Sequence, residues 1–365
     1  MNLHINGRFL VQPISGVQRY AREILAALDL RLSGDPTLAQ RLGPIHVWYP
    51  EGSSLVSPPD WQVLQITPLP GGTGHAWEQF SLGKVARNGV LASLCGSGPL
   101  ICRRQLVVIH DANIWTFPEA FSRSYRLFHK MMRPLLARRV THLATVSQFS
   151  AGELARCLRV PEHRFDVIHN SAEHMIAAPT DEGTLTRYGL VPQSYFFAAG
   201  NQSPNKNIAR LVDALGVISG DTPPLVVAGG FAPGVAQEKI TDSGRIRLLG
   251  RVSDAELKAL YACATAFLWP SLYEGFGIPP LEAMILGTPV LSSSTTAMPE
   301  VLGDSVLYFD PLNIEDISAA ISQFIAMPPK ARETLAQAGK KRAQHYTWTA
   351  SANALLKVLE EAALA

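Results

Sequence analysis

The residues with the most chemical content lie between Pro270 and Val290, in the string PSLYEGFGIPPLEAMILGTPV. Two carboxylates, Glu274 and Glu282, stand there with seven residues between them. Glu274 falls in a glycine-flanked loop that follows the apolar, strand-like run Ala266–Trp269. Pro279 and Pro280 suit the first positions of a helix, where a missing N–H costs nothing, and Gly287 suits its C-terminal cap. With Pro280 near the first helical position, Glu282 is expected near the third, at the positive end of the helix. The backbone N–H groups of the Gly275–Ile278 stretch would then face an anion. One carboxylate in the loop and one a helical turn later can hold two hydroxyl-bearing parts of a ligand whose phosphates rest on the loop. A nucleoside diphosphate sugar has that pattern. The plainer account is an acidic loop followed by a helix-capping glutamate. Two bare glutamates at this spacing fit that account as well, whereas the glycines, prolines and spacing together favour the ligand.

Three further places carry functional groups. Gly200-Asn201-Gln202-Ser203-Pro204-Asn205-Lys206-Asn207 follows an apolar run and opens a helix, so Lys206 can place an ammonium on a diphosphate. The alternative for such a lysine is a solvated surface charge. Ser15-Gly16-Val17-Gln18-Arg19-Tyr20 is a turn after the first strand, where Gly16 would let a phosphate approach the backbone; a tight βα turn needs the same glycine. His110-Asp111 ends an apolar strand. A histidine there is either structural or aimed at a ligand. Gly71-Gly72-Thr73-Gly74 follows no clear strand and leads to His75-Ala76-Trp77, which argues against a phosphate loop and for a loop on the acceptor side of a site.

These groups need a scaffold, and both halves of the chain alternate short apolar runs with helical patterns, the signature of parallel sheets built from βαβ units. In the first half, strands are expected at 3–6, 45–48, 63–66, 107–110, 143–146 and 166–169. In the second half they are expected at 195–199, 225–228, 246–249, 266–269, 290–292 and 306–309, with helices at 208–215, 254–261, 280–286 and 314–325. The expected architecture is two doubly wound, Rossmann-like domains facing across a cleft: 1–172, a linker over 173–190, then 191–345. A terminal helix over 346–365 completes it. Ligands in such folds bind at the carboxyl ends of strands. Arg123–Val140 mixes basic and apolar residues at helical spacing. Leu127, Phe128, Met131, Met132, Leu135 and Leu136 would fill a core-facing stripe or form a basic amphipathic surface for anionic lipid, and Pro134 argues against one uninterrupted helix.

The bulk properties set limits. With 365 residues, 47% hydrophobic, the chain is long enough for two globular cores. No apolar run reaches the length of a membrane span, and the start, MNLHINGRFL, is no secretory signal. Cys95, Cys102, Cys157 and Cys263 form no metal-ligand grouping and read as reduced thiols of a cytoplasmic protein. The net charge of +2 is uneven: residues 1–175 hold 18 Lys/Arg against 12 Asp/Glu, and the rest 14 against 18. That is no nucleic-acid signature, but it tolerates an anionic membrane surface.

The string EGFGIPPLEAMILGTPV resembles the E-x7-E element of the family 4 retaining glycosyltransferases, enzymes of the GT-B fold. The resemblance covers nearly the whole chain and is densest from Ser194 to Pro311. It implies that Glu274 contacts donor-sugar hydroxyls, that Glu282 contacts the ribose, and that the Gly275-Phe276-Gly277 loop, Gly16 and Lys206 meet the diphosphate. The family's HD segment matches His110-Asp111, which implies a histidine near the donor sugar, as a positioning group or as a base, with Asp111 orienting the ring or capping a turn. Arg19 is either an acceptor contact or a surface charge, and Trp77 is placed on the acceptor side. The chain departs from the family at Asn201 and Asn205, where arginines are common. There is no D-x-D triplet, so no metal and no cofactor is expected. The terminal helix is expected to cross back onto the first domain. The opening INGRFLVQPISGVQRYARE and HDANIWTFPEAF are similar to bacterial members that build surface polysaccharides. That implies GDP-mannose as donor and a growing lipid-linked oligosaccharide as acceptor, at the inner face of the cytoplasmic membrane. A GT-B nucleotide-sugar epimerase and a non-catalytic sugar-nucleotide-binding subunit are the competing expectations.

Overall fold

A computed structural model describes residues 2–201, 203–230, 240 and 242–364 of the chain. Contacts divide it into two compact units. The first is Met1–Ala112, Leu127–Asn170 and Trp348–Ala365; the second is Asn113–Arg126 and Ser171–Thr347.

Among the described residues the first unit holds seven parallel strands: β1 (Leu3–Asn6), β2 (Ile45–Pro50), β3 (Leu64–Leu69), β4 (Val90–Ser93), β5 (Gln105–Val108), β6 (His142–Thr145) and β7 (Phe165–Val167). Their order is β3-β2-β1-β4-β5-β6-β7. Strands β1, β4 and β5 are buried at every position, as expected where helices cover both faces of a parallel sheet. The central strand β4 has no counterpart in the sequence reading. Small Ala92 and Ser93 dilute its apolar run. Strand β5 starts two residues earlier than expected, at Gln105, whose buried side chain donates to the Pro99 carbonyl at 3.0 Å.

Helix Gly16–Ser33 buries Tyr20, Ile24 and Leu28 at four-residue spacing and packs against the terminal helix Trp348–Leu364. The Tyr20 and Trp348 rings meet edge to face, 5.9 Å apart. Helix Arg123–Arg139 runs through Pro134 without a break, contrary to expectation. Buried His129 and Arg133 before the proline, with Leu136 and Ala137 after it, anchor both sides and outweigh the one lost backbone bond. Of the core-facing stripe expected on this helix, Leu136 is buried and Phe128 and Met132 are half-buried, whereas Leu127, Met131 and Leu135 are exposed and are corrected to a surface row.

The second unit holds, among its described residues, β8 (Phe196–Ala199), β9 (Leu225–Ala228), β10 (Ile246–Gly250), β11 (Ala266–Trp269), β12 (Val290–Ser293) and β13 (Leu307–Phe309), all parallel, in the order β10-β9-β8-β11-β12-β13. Helices Ile208–Val217 and Ile314–Ala326 pack Leu211 and Phe324 onto Phe196, Leu268 and Leu291. Residues 173–190, expected as a linker, include the short helices His174–Ala177 and Thr184–Arg187 with His174 and Met175 buried, so they are built into this unit. In each sheet the strand order reverses inside, beside β1 and beside β8. Such switch points open a crevice at the carboxyl ends of the strands.

Candidate active site

In the second unit the loops after β8 and β11 flank the switch point and are bound to each other. The Leu272 N–H donates to the Asn205 carbonyl at 2.8 Å, and the Ser271 hydroxyl reaches the same carbonyl at 3.0 Å. Asn207, in the left-handed region at φ 58°, donates its amide to the Pro270 and Pro311 carbonyls at 3.0 and 2.8 Å. Gly229, at the end of β9 with φ 155°, passes so close that a Cβ would fall 1.7 Å from the Gly200 carbonyl oxygen. Only glycine permits that approach.

This stitching brings Lys206 and Glu274 together. Lys206 Nζ lies 2.6 Å from Glu274 Oε1 and 4.7 Å from the centre of the Trp269 ring. Ser271 Oγ donates to the same carboxylate oxygen at 2.6 Å, and the Glu274 N–H donates to Thr296 Oγ1 at 3.3 Å. The ammonium keeps 19% of its side chain exposed and the carboxylate 14%, so both remain reachable from solvent. In place of the family arginines, Asn201 and Asn205 are bridged by the Ser203 hydroxyl, 2.7 Å from each amide. Gln202, in the same loop, lies outside the described residues.

The helix carrying Glu282 begins at Ile278, two residues before the expected start, so Glu282 stands in its second turn rather than near its third position. The reason is Gly277, which caps the helix at φ 88° with Met298 packed where a side chain would be. Gly287, at φ 83°, ends the helix; its N–H and that of Thr288 close on the Met284 and Ala283 carbonyls. Glu282 is 6% exposed, with Oε1 held by His174 Nε2 at 2.8 Å and Oε2 by the Tyr261 hydroxyl at 2.9 Å. Each oxygen keeps a second lone pair for a ligand hydroxyl. Phe276 is buried, its ring edge-on to Tyr346 at 5.3 Å, so the Gly275-Phe276-Gly277 loop can offer a ligand only backbone and Glu274.

In the first unit, His110 stands two residues past the end of β5. Burial lowers its pKa, so the ring is neutral. Nε2 lies 2.9 Å from the Leu94 carbonyl, which can only accept; the proton is therefore on Nε2, and Nδ1 is the basic atom. The ring meets Tyr20 edge to face at 4.8 Å. The neighbouring Asp111 gives its backbone carbonyl to Arg133. Gly16 is exposed and takes the first helical position, so its contribution is a missing side chain rather than an unusual backbone angle. Arg19 lies 4.0 Å from Glu23 on the same helix. Trp77 is corrected from a ligand contact to a core residue. It is fully buried among Leu82, Leu91 and Cys102 and donates Nε1–H to the Leu69 carbonyl at 2.9 Å.

What the sequence reading missed in this unit is a network around Glu78, at the switch point. The Glu78 carboxylate is fully buried and takes bonds from Asn6 Nδ2 at 2.9 Å, Ser97 Oγ at 2.9 Å and His75 Nδ1 at 3.0 Å. The Arg8 guanidinium lies 3.5 Å away and also donates to Ser97. Burial alone would raise the Glu78 pKa, but the His75 and Ser97 bonds and the Arg8 charge outweigh it and hold the carboxyl below its ordinary value.

The two sheets and the switch-point site define a protein of the GT-B architecture. Its fold matches sucrose-phosphate synthase from Thermosynechococcus elongatus with a TM-score of 0.69 at 16% identity, over 98% of each chain. It matches Anabaena HepE, solved in complex with UDP and glucose, with a TM-score of 0.68 at 16% identity, over 98% of each chain. A family model for glycosyl transferases group 1 matches residues 190–342. O-antigen chain mannosyltransferase B of Escherichia coli is 35% identical over 257 residues, 67% of this chain and 67% of the relative. O-antigen chain mannosyltransferase RfbU of Salmonella typhimurium is 30% identical over 240 residues, 62% of this chain and 65% of the relative. The chain belongs to the group 1 glycosyltransferases and is an enzyme of that class. Among the described residues no helix is long and apolar enough to cross a membrane.

Proposed function

We propose that the protein transfers mannose from GDP-mannose, with retention of anomeric configuration, to a hydroxyl of a growing lipid-linked surface polysaccharide, working as a peripheral enzyme at the membrane face. The observation that carries the reading is the Lys206–Glu274 pair at the switch point of the second unit. An ammonium and a carboxylate 2.6 Å apart and still reachable are arranged for exchange, the ammonium turning to a donor diphosphate and the carboxylate to sugar hydroxyls. Relatives named for mannosyl transfer to O-antigen chains support the sugar and the class of acceptor.

In this mechanism Lys206 stabilises the charge that grows on the departing diphosphate, and Glu274 holds the sugar. Glu282, braced by His174 and Tyr261, holds the ribose. The leaving phosphate oxygen accepts the acceptor proton on the same face of the sugar, so no side chain forms a covalent intermediate. His110, with its proton on Nε2, offers Nδ1 to a hydroxyl and serves to position it. No cofactor or metal takes part in this scheme.

The test is thermal stabilisation of the purified protein by GDP-, UDP-, ADP- and TDP-sugars, with Glu282→Ala alongside, followed by a transfer assay with the sugar that stabilises. A shift with the GDP series that the substitution removes is expected. A shift confined to another base overturns GDP-mannose, and no shift with any of them overturns the donor site.

A further inference from the structure

Helix Arg123–Arg139 and the loop before β5 carry features that neither switch-point site uses. Leu127, Met131 and Leu135 are 64%, 59% and 48% exposed and recur every fourth residue, so they form one stripe along the helix. Beside the end of that stripe is a recess of about 720 Å³ whose lining includes Leu135 and four arginines, Arg103, Arg104, Arg138 and Arg139. No acidic residue lines it, and among the described residues none of these four guanidinium groups is paired with a carboxylate. Arg138 and Arg139 complement the negative end of their helix, which accounts for two of the four. Arg103 and Arg104 come from a loop and gain nothing from it. Four like charges around one recess repel one another until an anion neutralises them.

Position separates the arginine end of this surface from substrate chemistry. The arginines immediately precede β5 and β6, at the amino edge of the first sheet, whereas Gly16 and His110 follow β1 and β5 at the carboxyl edge. Crevice ligands of parallel sheets bind at the carboxyl edge. A small phosphate would satisfy the arginines but would leave the apolar stripe in water. A second copy meeting this face with the same face would set arginine against arginine.

We propose that this face docks on an anionic phospholipid bilayer, with the four arginines among the lipid phosphates and Leu127, Met131 and Leu135 entering the acyl boundary. It gives a definite surface to the membrane association proposed above, but it rests on residues outside the donor site and does not depend on which sugar nucleotide binds there.

The experiment is co-sedimentation of the full chain with vesicles of phosphatidylcholine alone or mixed with phosphatidylglycerol, without donor, at low and high salt. Wild type should partition onto the anionic vesicles and be released by salt. Arg138→Ala with Arg139→Ala should bind roughly thirtyfold more weakly, since each arginine near such a surface is worth about a factor of five. Leu127→Ser with Met131→Ser should lose binding even at low salt, with an unchanged melting profile. Equal binding to neutral vesicles, no binding at all, or variants that partition like wild type would overturn the proposal. So would self-association of wild type that the Leu127→Ser, Met131→Ser variant abolishes, because the stripe would then belong to a second copy.

Discussion

The two units have the same kind of sheet and the same kind of crevice, yet they fill the crevices differently. Beside β8 an ammonium and a carboxylate bridge the two loops and stay partly open to water. Beside β1 the bridging carboxylate, Glu78, is sealed completely and is surrounded by Asn6, Arg8, His75 and Ser97. A charge pair that water can reach costs less to separate than a sealed one, so a ligand can replace one partner. A sealed carboxylate with four partners is costly to disturb, because each group it holds would be left buried and unpaired. One crevice is therefore set for exchange. The other is set to hold Arg8 and His75 still.

The largest effect should come from the sealed side. Glu78→Ala leaves Arg8 without its carboxylate partner and strands the Asn6 and Ser97 donors, and is expected to cost about 3–5 kcal/mol. Hydrogen exchange should show the loss in first-unit peptides while second-unit peptides keep their protection. A loss spread evenly over both units would erase the distinction. Next is Lys206→Ala. It should lower transfer by about 10²–10³, the usual consequence of removing one group that stabilises charge in a transition state. Its melting profile should fall less than that of Glu78→Ala, since the pair keeps some contact with water and Ser271 still holds the Glu274 carboxylate. A fully active Lys206→Ala enzyme would mean that the exchangeable pair has no part in the chemistry.

The same contrast explains how much was legible in the sequence. Glu274, Gly277, Glu282 and Gly287 sit within fourteen residues, and their types and spacing mark loop, helix and caps together. The twelve strands read from apolar runs are all present, most within a residue or two of their expected ends. The Glu78 network was invisible because its members come from the ends of β1 and β4 and the turn after β3. Hydrophobic period does not record which polar residues a sheet will gather. Strand β4 was missed because small Ala92 and Ser93 dilute its apolar run, and the break at Pro134 was wrong because tertiary anchoring outweighed a local rule. Trp77 looked available only because it follows the glycine-rich stretch 71–74; its neighbours in space are Leu82 and Leu91.

His174 falls between the two extremes, a buried group that serves the open crevice. It is 108 residues from Glu282 and holds one of its oxygens. A hydrogen bond to a charged group is worth about 1.5–3 kcal/mol, so His174→Ala should weaken nucleotide binding by roughly ten- to a hundredfold. His174→Gln, which keeps a donor, should recover much of this. If the donor-concentration dependence is unmoved while only stability falls, His174 is a structural residue and not a positioning one.

The smallest effect is confined to acid and comes again from Glu78. Its folded-state pKa lies below the ordinary 4.5, so the stability its charge contributes is complete above that value and is lost as pH falls through the folded-state pKa. Glu78→Gln keeps the shape but has no proton to gain. The stability gap between wild type and Glu78→Gln should therefore be constant near neutrality and narrow with acid, in denaturant unfolding followed from about pH 7 to pH 3. Lys206→Ala should leave that narrowing unchanged, because the exchangeable pair and the sealed carboxylate lie in different units. A gap that stays level or widens with acid would mean that Glu78 is held by its shape and not by its charge. The contrast between the two crevices would then be one of packing alone.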